Sequence, residues 1–230
     1  MHKRHLTLLV AICIGFVTLS FGQHQRYAIR NGLGIYGGLT QFDIKTDNFN
    51  TESEQGYIGG MAATVDLPHK WYTVSYNIQL SQNYWNVNAA PQILDAAAQN
   101  SLVEYKLFTV QAAFLFHLKI LQDYITIDLG PMLQYNSNLE LEKSQQEGYI
   151  IDGYNNLTAK DITDISKVNV NGAASLTMGF KSFKIRGQYI YGFTNILNRL
   201  NKNDLDTSGG ASNKFKGNMS MLAFTAMISF

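Results

Sequence analysis

Cysteine is nearly absent from this chain: of its 230 residues, only Cys13 carries a thiol, and it lies inside the apolar N-terminal stretch. A fold stapled by disulfides is therefore excluded. Histidine is scarce as well, with five in all, which leaves little material for acid–base or metal chemistry. Only three prolines occur, so few positions forbid a continuous strand ladder. Charged residues make up 15% of the chain, without a basic stripe of the kind that meets nucleic acid. Beyond the N-terminus no apolar run is long enough for a membrane-crossing helix. What the chain has instead is 19 glycines, 13 tyrosines and 13 phenylalanines, a composition suited to strands.

The N-terminus bears on compartment. Lys3 and Arg4 precede an apolar run over residues 6–21, and Gly22 and Gln23 return the chain to polar sequence. A basic start, a short apolar core and small residues at its end predict a secretory signal peptide over residues 1–22. The run is shorter than the roughly 20 residues a spanning helix needs. Cys13 is not read as a lipidation site, because Ile12 precedes it and the apolar run continues past it. The remaining domain, residues 23–230, holds 16 basic and 17 acidic residues and has no cysteine.

Two-residue alternation recurs along that domain. Tyr72, Val74, Tyr76, Ile78 and Leu80 alternate with Thr73, Ser75, Asn77, Gln79 and Ser81. In a strand these sets face opposite sides, whereas a helix would mix them. The same pattern runs through 168–180, 183–193 and 222–230, and less cleanly through 27–42 and 57–67; residues 102–120 and 124–135 complete eight strands. Links near 68–70, 121–123 and 181–182 are short, while those at 43–56, 83–101, 136–164 and 195–216 are long and polar. Alternating short and long links predict an all-β, eight-stranded antiparallel transmembrane β-barrel, an up-and-down meander with short periplasmic turns and long extracellular loops. One face of the strands is free of charge, while the other holds His117, Lys119, Asp128, Lys184 and Arg186. A Lys or Arg facing lipid at the bilayer midplane costs roughly 2–4 kcal/mol, so the uncharged set is expected to face outward. Tyr72, Tyr84, Trp85, Tyr135, Tyr189, Tyr191 and Phe193 sit towards strand ends, where aromatic girdles are expected.

Four segments carry a family resemblance: EYKLFTVQAAFLFHLKI over 104–120, DLGPMLQ over 128–134, GQYIYGFTN over 187–195 and the terminal MLAFTAMISF. With them the chain resembles the PorT-like outer-membrane β-barrel family of Gram-negative bacteria. Gly130–Pro131 and the Tyr189–Asn195 strand end match that family's pattern, while Thr109 and Gln111 depart from its usual apolar middle strand. The resemblance implies an exported outer-membrane barrel. Through the family's name-giving member, it also implies a link to a protein-secretion and gliding machinery.

An eight-stranded barrel is about wide enough for its own side chains to fill. Asp128 and Arg186 each lie a few residues beyond a short turn, which predicts an ion pair across the lumen with Lys184 nearby. His24 and His69 lie at the mature terminus and in a turn, and His117 is read as a lumen-packing residue, so no catalytic site is expected. Asp152, Asp161, Asp164, Asp204 and Asp206 are read as solvated loop charges, since their spacing matches no dedicated calcium loop. No cofactor is expected. Residues 91–99 are read as one or two helical turns packing over the barrel mouth, the alternative being contact with a partner. Phe230, an aromatic terminus on the last strand, resembles the signal read by the outer-membrane insertion machinery and is read as an assembly determinant. The expected partners are outer-membrane lipid, that machinery during assembly, and proteins met through the loops or turns, with no nucleic acid. The expected role is a closed structural or accessory barrel; the alternatives are a small pore and a lipid-modifying enzyme.

Overall fold

A computed structural model describes residues 30–66, 70–91, 101–180, 182–210 and 212–230. The expected signal peptide, His24, His69 and nearly all of the 91–99 segment lie outside the described residues. Strands β1 (Arg30–Lys45), β2 (Thr51–Asp66), β3 (Tyr72–Ala90), β4 (Ser101–Leu121) and β5 (Ile125–Asn136) come first. Two short strands follow, β6 (Glu140–Leu141) and β7 (Ile150–Ile151), and then β8 (Val168–Gly179), β9 (Phe183–Gly192) and β10 (Asn218–Ser229). The eight long strands pair antiparallel with their neighbours. The ring closes where β1 meets β10, from Gly34 opposite Ser229 to Lys45 opposite Asn218. Every stave thus has two partners, and the sheet has no free edge along its length.

The alternation in the sequence sets the two faces. Leu33, Met61, Ile78, Phe116, Leu133, Leu176, Ile185 and Phe224 stand on the outside as part of an exposed apolar band that runs round the barrel. Thr73, Ser75, Asn77, Gln79 and Ser81 turn inward and are buried. Closing so narrow a ring brings backbones close together at Gly38 and Gly130. A Cβ on Gly38 would run into the Phe224 carbonyl, and one on Gly130 into the Phe114 carbonyl. Only glycine fits there.

Two expectations about the links are corrected. Residues 43–56 are not a long loop: β1 runs to Lys45 and β2 starts at Thr51, with a register shift between Ser53 and Tyr57. Likewise β3 continues through residues 83–90, pairing up to Ala89 opposite Ser101. The polar residues there mark strand that rises above the apolar band, so polarity alone misplaced the strand ends. Trp85 is no girdle residue; it points inward and is fully buried.

The long-loop rim carries a second core. Phe49, Trp85, Tyr105, Tyr154, Leu157, Ile162, Ile165, Ile196, Leu197 and Phe215 are buried together above the staves. Phe49 sits at its centre, with ring centroids 5.7 Å from Phe215, 6.0 Å from Tyr154 and 6.2 Å from Trp85. The loops are tied to the tall hairpin of β3 and β4 by β6 and β7, and by the Tyr105 hydroxyl donating to the Ala159 carbonyl at 2.8 Å. Residues 137–167, 193–210 and 212–217 thus fold over the barrel mouth as a cap, where the sequence predicts solvated polar loops.

Candidate functional site in the lumen

Below the cap the lumen is filled by polar side chains in register. Gln79, Gln111, Gln134 and Asn169 are successive cross-strand partners on β3, β4, β5 and β8. Their amides bond head to tail. The Tyr36 hydroxyl donates to Gln79 Oε1 at 2.9 Å, and Gln79 Nε2 donates to Gln111 Oε1. Gln111 Nε2 donates to Gln134 Oε1 at 2.5 Å, and Gln134 Nε2 to Asn136 Oδ1 at 2.5 Å. Asn136 Nδ2 then donates to Asn169 Oδ1 at 2.7 Å, and Asn169 Nδ2 to Thr194 Oγ1 at 2.7 Å. Each of these amides both donates and accepts within the chain, which is how a buried polar layer avoids desolvation cost.

A charged cluster lies towards the short-turn rim, centred on Asp128, which is fully buried. Its Oδ1 accepts from the Thr126 hydroxyl at 2.6 Å and sits 2.7 Å from His117 Nδ1. Its Oδ2 accepts from Ser175 at 3.0 Å and Thr177 at 2.5 Å, with Arg186 Nε at 3.6 Å. Arg186 Nε also donates to Thr177 Oγ1 at 3.0 Å, and its guanidinium carbon lies 5.8 Å from the Tyr36 ring centroid. The structure therefore brings Asp128 and Arg186 together along the wall, with β8 between their strands, rather than across the lumen. Lys184, expected beside them, is a correction: it is partly exposed at the rim and forms no ion pair among the described residues. It lies two residues nearer the turn than Arg186, where water competes for its ammonium.

His117 is the partner that strand-height reasoning missed. The turn alone does not place it: Leu121 opposite Ile125 would set residue 117 against residue 129, and the register shift between Lys119 and Leu121 sets it against Asp128 instead. The opposite ring nitrogen, His117 Nε2, lies 2.6 Å from Ser75 Oγ, which also accepts from Asn77 Nδ2 at 2.7 Å. With every other close neighbour of Asp128 donating, the carboxylate takes the proton-bearing Nδ1 of His117 as a further donor. In the neutral imidazole with its proton on Nδ1, Nε2 is the acceptor for the Ser75 hydroxyl proton. Serine, imidazole and carboxylate are thus connected in the order that activates a nucleophile.

The rim and the cap hold the remaining charges. Lys119 Nζ bridges Asp66 at 2.8 Å and Asp123 at 3.0 Å, joining two turns. In the loops Asp164 pairs with Arg199 at 2.9 Å, and Asp161 accepts from the Thr158 backbone and hydroxyl. Asp206 accepts from Asn156 and from the Ser208 backbone, and the contacts with Ser208 and Asn156 lower its carboxyl from the ordinary 3.8 to about 2. Among the described residues no three acidic, histidine or cysteine side chains converge as a metal site. Phe230 extends past β10 with its side chain exposed, and its backbone N–H donates to the Leu33 carbonyl at 2.9 Å.

No family model matches the chain, and no curated protein does. Among solved structures it is similar to neisserial surface protein A (NspA), with a TM-score of 0.47 and 10% identity, over 88% of this chain and 99% of that one. It is likewise similar to the outer membrane protein OprG from Pseudomonas aeruginosa, with a TM-score of 0.46 and 10% identity, over 89% of this chain and 98% of that one.

Proposed function

We propose that this chain is an outer-membrane β-barrel with a sealed lumen, acting as a structural or accessory protein that presents its loop cap to partners outside the cell. The observation that carries this reading is the apolar outer face. Large hydrophobic side chains such as Met61, Tyr76 and Phe224 are exposed by 62%, 61% and 62% respectively, and they recur on all eight staves. A water-soluble protein rarely exposes an apolar patch beyond a few hundred Å². A closed ring is also the form in which strands satisfy every backbone group in lipid.

A sealed lumen fits better than a pore, because the amide chain, the Asp128 cluster and the cap occupy successive levels of the interior. A part in protein secretion is the finer form of this reading, supported by the PorT-like segments. The test of location and orientation uses the lack of cysteine after residue 13. With Cys13 removed, Asn213→Cys in the cap should react with an impermeant maleimide on intact cells. Ser182→Cys in a short turn should react only after the outer membrane is permeabilised. Labelling of Ser182→Cys but not Asn213→Cys on intact cells would overturn the orientation, and labelling of neither would overturn the location.

A further inference from the structure

We propose that Ser75 is a nucleophile activated by His117 and oriented through Asp128, acting on slender esters that enter the lumen from the short-turn rim. The relay stands on geometry: 2.6 Å from Ser75 Oγ to His117 Nε2, and 2.7 Å from His117 Nδ1 to Asp128 Oδ1. The carboxylate is locked by Thr126, Ser175 and Thr177, so the imidazole is held in one tautomer. This is more than inert packing needs. Ser81, three inward positions further up β3, meets only the Thr109 hydroxyl and the Asn83 amide.

In the step itself, Ser75 Oγ bonds to the ester carbonyl carbon while its proton passes to His117 Nε2. The bond to the leaving alcohol breaks, and that oxygen takes the proton from Nε2. Water then attacks the acyl-serine, gives a proton to Nε2, and Ser75 recovers it as the acid departs.

Access decides the substrate class. Ser75 points inward and is 1% exposed, so lipids on the outer face cannot reach it. The approach is from the short-turn rim, where, among the described residues, a Cβ on inward-facing Gly32 would meet nothing within 4 Å and His117 keeps a little exposure. Only a narrow, unbranched acyl group fits between filled walls.

The test uses the full folded barrel in detergent, its fold checked by a heat-dependent gel shift. A small alkyl fluorophosphonate and p-nitrophenyl acetate serve as probes. Wild type should be labelled on Ser75, identified by peptide mass, and should hydrolyse the acetate. Ser75→Ala should abolish both, while Ser81→Ala should leave both unchanged. His117→Gln should slow labelling by about 10²-fold, the usual contribution of a general base. The mass-identified label on wild-type Ser75 and its loss in Ser75→Ala keep the proposal testable if His117→Gln does not fold. An unlabelled wild type, a label on another residue, or a rate indifferent to His117→Gln would overturn it.

Discussion

At the scale of single residues, the lumen separates charges that the sequence makes look alike. Lys184 and Arg186 share a strand, a face and a sign, yet only Arg186 is buried against Asp128. Removing one partner of a buried pair leaves the other charge uncompensated, at a cost of about 3–5 kcal/mol. Four other donors surround Asp128, which places Arg186→Leu near the lower end, about 3 kcal/mol. Lys184→Leu, at the wet rim, should fall within about 0.5 kcal/mol of wild type. Equilibrium unfolding in urea, in lipid vesicles, measures both. Equal effects would show that the guanidinium is not a structural counter-ion to Asp128. Which face these residues take was legible from period-two alternation alone. That Asp128 meets His117 was not, because alternation sets a residue's face, whereas its register here depends on the turn together with the irregularity between Lys119 and Leu121.

At the scale of elements, the sequence exposes the staves and hides the cap. The staves repeat apolar residues every second position, so eight of them could be placed, with ends misjudged where β3 rises above the apolar band. In the cap, Ile151, Tyr154, Leu157, Ile162 and Ile165 are buried at irregular spacings among polar residues, held by turns and single hydrogen bonds. No period announces such a core, and it forms only because four rim segments meet over one mouth. Phe215 joins it from the last loop, stacking near Phe49 at 5.7 Å and Tyr154 at 6.3 Å. Phe215→Ala should cost about 3–5 kcal/mol, borne by the cap and not by the staves. Trypsin should then cut the variant at Arg199 and Lys202, exposed lysine and arginine sites in the last loop, many times faster than wild type. The staves should stay protected. Wild-type loops cut just as fast would show that the cap is no cooperative unit.

At the scale of the whole molecule, the ring is completed by the seam between the first and last strands, and Phe230 sits at its end. The seam holds twelve paired positions from Gly34–Ser229 to Lys45–Asn218. Phe230 adds one backbone hydrogen bond to Leu33 beyond them and leaves its ring 76% exposed. An exposed ring and a terminal hydrogen bond contribute little to a folded ring, about 1 kcal/mol for the bond. Deleting Phe230 should therefore shift the urea midpoint of the refolded barrel only slightly. If Phe230 acts as the proposed assembly determinant, the same deletion should lower the amount of barrel inserted in cells several-fold. Restoring the ring alone, with Tyr at position 230, should restore insertion, whereas Ala should not. A deletion that lowers refolded stability and insertion together would make Phe230 part of the seam's own energetics. Unchanged insertion would remove its role in assembly.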